Sequence, residues 1–253
     1  MTARVWVGGR PALITLTAVT ALWASWSLAA FLGRISGRPG SLGDLVDRQL
    51  TGLIPATVVA AAGAAYVTAR LRRRGTLDLL LASTRPSWQL SLRPILEVSA
   101  AVGGGWIIYW VVTSFRFAQT PDGAHANVMG LLVSLVSILL AAALGHLIAV
   151  LGLGPISVPV AAVLAYGLAL GAAIADDTWT QGLFPSLGPS VDEDTSVLWF
   201  LAESMWLLGV ALTLTWLASQ RLAAPRQRHK AMILSAAALC AVGSVGIAIL
   251  GVT

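Results

Sequence analysis

The stretch RLRRRGTLDLLLASTRPSWQLSLRP, residues 70–94, holds six arginines, a leucine triplet and two prolines between two long apolar runs. Guanidinium groups stay charged at any physiological pH and do not sit unpaired in hydrocarbon. The stretch therefore marks a point where the chain leaves lipid, and the runs on either side set the fold. Of the 253 residues, 57% are hydrophobic and only 11% charged, where a soluble domain carries about 25%. No long polar block remains to build a water-soluble domain.

A helix needs about 20 apolar residues to cross the hydrocarbon core. Seven segments approach that measure: 11–32, 53–69, 95–115, 128–151, 156–175, 197–217 and 231–252. The expected fold is an all-α integral membrane protein. It is a polytopic bundle of six to seven transmembrane helices forming a single transmembrane domain over residues 1–253. The first segment is longer than the apolar region of a cleavable leader, about 7–15 residues, and no clear small-x-small cleavage site follows it, so it reads as a span.

Lysine and arginine in short loops set orientation. With the N-terminus in the cytoplasm, 12 of the 16 basic residues fall inside, and Arg34, Arg38, Arg48 and Arg116 fall outside. Residues 70–94 then form a cytoplasmic loop between the second and third spans. Thr76 suits a helix N-cap, and Leu77, Leu80 and Leu81 share one helical face at i, i+3, i+4. Pro86 stops that helix, and Trp88 fits the membrane interface. The pattern reads as two short helices, about 76–82 and 87–92, lying near the membrane surface. The competing reading is a plain loop whose arginines only anchor topology.

The run RGTLDLLLAS, residues 74–83, resembles the cytoplasmic signature of type-2 ABC export permeases, and the order of spans and loops is similar over residues 1 to about 220. The tight inner turn between the fourth and fifth spans would be GLGPIS, residues 152–157. The family usually has six spans, and this chain offers a seventh. The resemblance implies a permease subunit of an ATP-driven exporter, with a cytoplasmic coupling-helix loop at 70–94. Its contact with the ATPase would use Thr76, Leu77, Asp78, Leu80, Leu81, Arg85 and Trp88, with Arg72 to Arg74 helping to orient it. The N-terminal stretch, anchored by Trp6, would lie along the inner interface. A second permease copy, identical or related, would complete the pathway in a bacterial inner (plasma) membrane.

No G-x-x-x-x-G-K-[ST] phosphate cradle occurs, so ATP and Mg are expected on a separate cytoplasmic ATPase and no cofactor in this chain. No nucleophile elbow occurs either, and His125, His146 and His229 fall in different regions, so an enzyme is not expected. The +5 net charge sits in short clusters between apolar runs rather than on a basic face, which argues against nucleic acid. Membrane lipids are the expected surroundings. The lone Cys240 lies in an apolar run and forms no internal disulfide.

Glu203 sits inside the sixth segment, where a carboxylate is costly and a role in the substrate path competes with a structural hydrogen bond. His146 reads as a packed, hydrogen-bonded histidine, and Glu97 as the i, i+4 partner of Arg93. Asp176, Asp177 and the acidic run at 192–194 read as a solvated outer loop. The small-residue run at 60–65 and the glycines at 167 and 171 suit close helix contact. Two other functions fit the same composition: an ATPase-independent transporter, and a structural or regulatory membrane subunit. The cargo is not legible in these residues.

Overall fold

The computed structural model describes residues 14–23, 52–73, 87–117, 124–174, 197–222 and 230–250. They are helical, with no strand among them. A short α1 covers Ile14–Trp23. The longer helices are α2 (Leu53–Arg73), α3 (Ser87–Phe117), α4 (Ala124–Val150), α5 (Ser157–Ile174), α6 (Val197–Leu222) and α7 (Lys230–Leu250), with a single 3-10 turn at Gly154–Ile156. Parts of α2, α3, α4 and α6 are long and apolar enough to cross a membrane, whereas the described apolar stretches of α1, α5 and α7 are shorter.

Several boundaries differ from those read in the sequence, and two of them flank the arginine-rich stretch. α2 continues past residue 69 to Arg73 and carries Arg70, Arg72 and Arg73 in its last turn. Arginine is a good helix former, and its charge suits the negative end of the helix dipole. α3 begins at Ser87, with Pro94 inside it. The expected short helix at 87–92 is therefore the first two turns of one continuous helix. Pro94 gives up one backbone hydrogen bond, but the Arg93 Nε to Glu97 Oε1 ion pair, 2.9 Å, spans it at i, i+4. At 1.5 Å per residue, 31 residues extend about 46 Å, more than a hydrocarbon core of about 30 Å.

α4 lies at the centre and packs against α2, α3, α5 and α6. α5 also packs on α2, and α7 packs mainly on α6. α1 docks on α3: the Thr17 hydroxyl donates to the Ala101 carbonyl at 2.8 Å, and Gly105 admits the Thr17 backbone. The interior combines bulky groups such as Trp106, Tyr109, Ile138 and Leu207 with many alanines and serines. Several buried hydroxyls bond within their own helices, as Ser134 does to Gly130 at 2.6 Å and Thr215 to Ala211 at 2.7 Å. Such back-bonding lets a hydroxyl sit in an apolar interior without an external partner. Large aliphatics face outward instead: Ile108 and Val112 on α3, Val163 and Leu164 on α5, Val242 and Val245 on α7. Small and hydroxyl-bearing residues inside with branched aliphatics outside is the arrangement a lipid solvent favours, and in water it would leave large apolar patches exposed.

Close backbone contact fixes the central pairs. A Cβ added to Gly145 on α4 would run into the Ala61 carbonyl and lie 2.9 Å from Ala61 Cα on α2. On the other side of the bundle, Gly209 of α6 accommodates the Cys240 backbone and sulfur of α7, and Gly243 and Gly246 of α7 accommodate Ala202. Gly167 on α5 has nothing within 4 Å, so its expected packing role is not realised within the described residues.

This contrast generates a paired test. Gly145→Ala should lower the thermal midpoint in mild detergent, because the methyl group meets backbone rather than a movable side chain; an overpacking cost of about 1–3 kcal/mol is expected. Gly167→Ala should leave the midpoint unchanged or slightly raised. Equal behaviour of the two variants would refute the α2–α4 contact.

Candidate functional site

The features that bear on function gather at the end of the bundle where α2 and α4 terminate. α2 reaches this end with three arginines in its last turn. Arg72, though exposed, reaches across to α4: its Nη1 donates to the Ala149 carbonyl at 3.2 Å and the Val150 carbonyl at 3.0 Å. The last four carbonyls of a helix have no partner within it, so the guanidinium caps α4 from the neighbouring helix. The chain then turns through Gly152, at φ +96, and Gly154, at φ +58. Both values lie in the left-handed region that glycine enters without a Cβ penalty. The 3-10 turn and α5 follow, and Ser157 closes the turn by donating its hydroxyl to the Gly154 carbonyl at 2.7 Å. The expected tight turn at 152–157 is thus present, held from one side by Arg72.

About one turn deeper along α2, Thr68 Oγ1 and His146 Nδ1 are 2.8 Å apart and buried. Which of them donates follows from the histidine tautomer. This is the packed, hydrogen-bonded histidine that the sequence suggested, with Thr68 as the partner the sequence did not reveal. His146 Nε2 is buried without a hydrogen bond.

Glu203 occupies a different region, in the second turn of α6. It is 1% exposed and shares a face with Leu207 and Ala211, both in the core. Its Oε1 has no hydrogen-bond partner, and neither has the Ser204 hydroxyl. The structural hydrogen bond considered for Glu203 is thus not made at Oε1 among the described residues. Tyr109 and Trp106, stacked in the core of α3 with ring centroids 5.0 Å apart, also bury polar atoms without partners.

Of the residues expected to contact an ATPase, Trp88 lies in the first turn of α3 and is half-buried. Thr76, Leu77, Asp78, Leu80, Leu81 and Arg85 lie outside the described residues, as do Trp6, the acidic loop residues and His229. The described helices on either side of these residues, α2 ending at Arg73 and α3 starting at Ser87, pack on each other. Arg72, expected to orient an external contact, is engaged within the chain. A spacing signal for that clamp did exist: three arginines at 70, 72 and 73 cannot all share one helical face, so one of them must point elsewhere.

Paired and unpaired buried polar groups should respond oppositely to apolar replacement. Thr68→Val removes a made interhelical bond and should lower the unfolding midpoint, with a cost of about 1 kcal/mol. Glu203→Leu removes an unpaired buried carboxyl and should leave the midpoint unchanged or raised. A fall with Glu203→Leu as large as that with Thr68→Val would mean that Glu203 is partnered in the protein.

Comparisons with protein-family models, with curated proteins and with solved structures found no match.

Proposed function

We propose that this chain is the membrane-spanning permease subunit of an ATP-driven exporter of the type-2 ABC kind. The observation that carries the reading is the run at residues 74–83, RGTLDLLLAS, placed between the basic end of α2 and the start of α3. Support also comes from the bundle of apolar helices and from the gathering of arginines at one end. That end is assigned to the cytoplasm of a bacterial plasma membrane, where basic loops concentrate. The N-terminus is then cytoplasmic too.

In this reading ATP and Mg bind a separate ATPase, and this chain supplies the docking segment and the moving helices. Leu77, Leu80, Leu81 and Trp88 present an apolar contact, Thr76 caps the docking helix, and Asp78 and Arg85 provide polar edges. Closure of the ATPase would push on the segment that joins α2 to α3. Because Arg72 ties the end of α2 to the end of α4, and α4 touches four other helices, the push would be passed on as rigid-body motion of packed helices. Glu203, far from this end on α6, is the candidate for contact with cargo. Some 250 residues form at most half of a pathway, so a second permease copy faces this one.

The test is a mild-detergent pull-down of the tagged chain beside a Leu80→Asp, Leu81→Asp variant, with ATPase activity measured in each eluate. The expected result is an ATPase that accompanies the wild type and falls at least tenfold with the variant, which places two charges in an apolar contact. If no ATPase accompanies either form, residues 74–83 are a topological anchor, and the structural-subunit and ATPase-independent readings replace this one.

A further inference from the structure

A groove of about 530 Å³ opens on the outside of the bundle between α2 and α5, at the arginine-bearing end. Tyr66, Ala69, Arg70 and Arg73 line it from α2, and Pro155 and Val158 from the turn and the start of α5. Tyr66, Arg70 and Arg73 fall at i, i+4 and i+7, so one helical face presents an aromatic ring and two guanidiniums in a row. No acidic residue lines the groove. The other described arginines nearby are occupied: Arg72 caps α4 and Arg93 pairs with Glu97. Arg70 and Arg73 have no ion-pair partner among the described residues. Of the helix ends that meet here, the negative end of α4 is capped by Arg72 and the positive end of α5 offsets the negative end of α2.

The groove continues as an apolar lane. On α2 the face that carries Arg70 runs back through Tyr66, Ala62 and Val58 at successive i−4 steps, all partly or fully exposed. On α5 the face that carries Val158 runs on through Ala162 to Tyr166, again accessible. The two helices pack on each other. A basic pocket therefore stands at the mouth of a lipid-facing seam, with a tyrosine at the junction where amphipathic rings are favoured.

We infer that this groove binds an anionic phospholipid, its phosphate between Arg70 and Arg73 and an acyl chain along the α2–α5 seam. Guanidiniums match phosphate oxygens with paired N–H donors, and basic pockets between helices on the cytoplasmic side suit acidic headgroups. A soluble phosphate would satisfy the arginines but not the seam. A docking protein would not need a lane leading into hydrocarbon. The inference rests on the membrane setting of the bundle and not on the exporter reading.

The test uses the full chain in mild detergent with phosphatidylglycerol, phosphatidylcholine or inorganic phosphate, read by native mass spectrometry. Wild type should retain phosphatidylglycerol over phosphatidylcholine, and millimolar inorganic phosphate should not displace it. Arg70→Gln with Arg73→Gln should reduce retention about tenfold or more, since each basic residue near an anionic lipid surface contributes about a factor of five. Arg221→Gln, at the end of α6 and outside the groove, should leave retention unchanged. Val158→Trp keeps both charges and fills the groove, so it too should reduce retention; size-exclusion profiles identify any variant that has lost its fold. Equal retention of the two lipids, or undiminished retention in both the arginine and Val158 variants, would overturn the proposal. Displacement by inorganic phosphate would show a soluble-anion site instead. Loss of a co-purifying ATPase from the arginine variant, with lipid retention intact, would make the face a protein-docking surface.

Discussion

The arrangement depends on how closely α2 can approach α4. Without a hydrophobic driving force between helices in lipid, association relies on van der Waals contact and on a few interhelical polar bonds. The Ala61–Gly145 contact brings backbone against backbone, and only residues with little or no side chain permit it. Once the helices are that close, Thr68 reaches His146 and Arg72 reaches the carbonyls of Ala149 and Val150. Three different interactions thus tie α2, from near its middle to its C-terminal end, to the last two turns of α4. Because α4 also touches α3, α5 and α6, the position of this pair sets the position of the bundle.

The same pair shapes the arginine-bearing end. Capping α4 consumes Arg72, and the cap holds the turn that sends α5 back along α2. That return creates the α2–α5 groove and leaves Arg70 and Arg73 facing outward. The turn and the end of α2, from which the proposed docking segment would continue, therefore share a mechanical base. A force applied after residue 73 would reach α4 through a charge-assisted hydrogen bond rather than through a flexible joint. Glu203 lies on α6, one helix removed, with its Oε1 buried and unpartnered among the described residues. An unpaired buried carboxyl is a standing cost to the fold, which is the physical reason to look for its use in function.

Much of the helical architecture is legible from composition, because apolar runs of sufficient length have few alternatives in lipid. The close approach of α2 was readable from the alanines at 60–65, and the Arg93–Glu97 pair and the hydrogen-bonded His146 from spacing and burial alone. Two things were not. The sequence pattern sets a short helix at 87–92 apart from the third span, but the Arg93–Glu97 ion pair and packing of Ile95 and Val98 into the core carry α3 through Pro94. Partners across helices, such as Thr68 for His146 and the α4 carbonyls for Arg72, are separated by more than 70 residues, and no local pattern encodes them. The proposed docking segment is the reverse case: its signal is local and sequence-borne, and residues 74–86 lie outside those the structure describes.

The proposed orientation has the α2, α4 and α5 junction facing the cytoplasm. Leu153 lies in the junction turn and is 45% exposed, so it offers a direct probe. A Leu153→Cys variant in a Cys240→Ala background, treated with a membrane-impermeant thiol reagent, reports which side the turn faces. Labelling in inside-out vesicles and not in intact spheroplasts is the predicted result. Labelling in intact spheroplasts would put the arginine-bearing end outside and contradict both the topology and the docking role built on it.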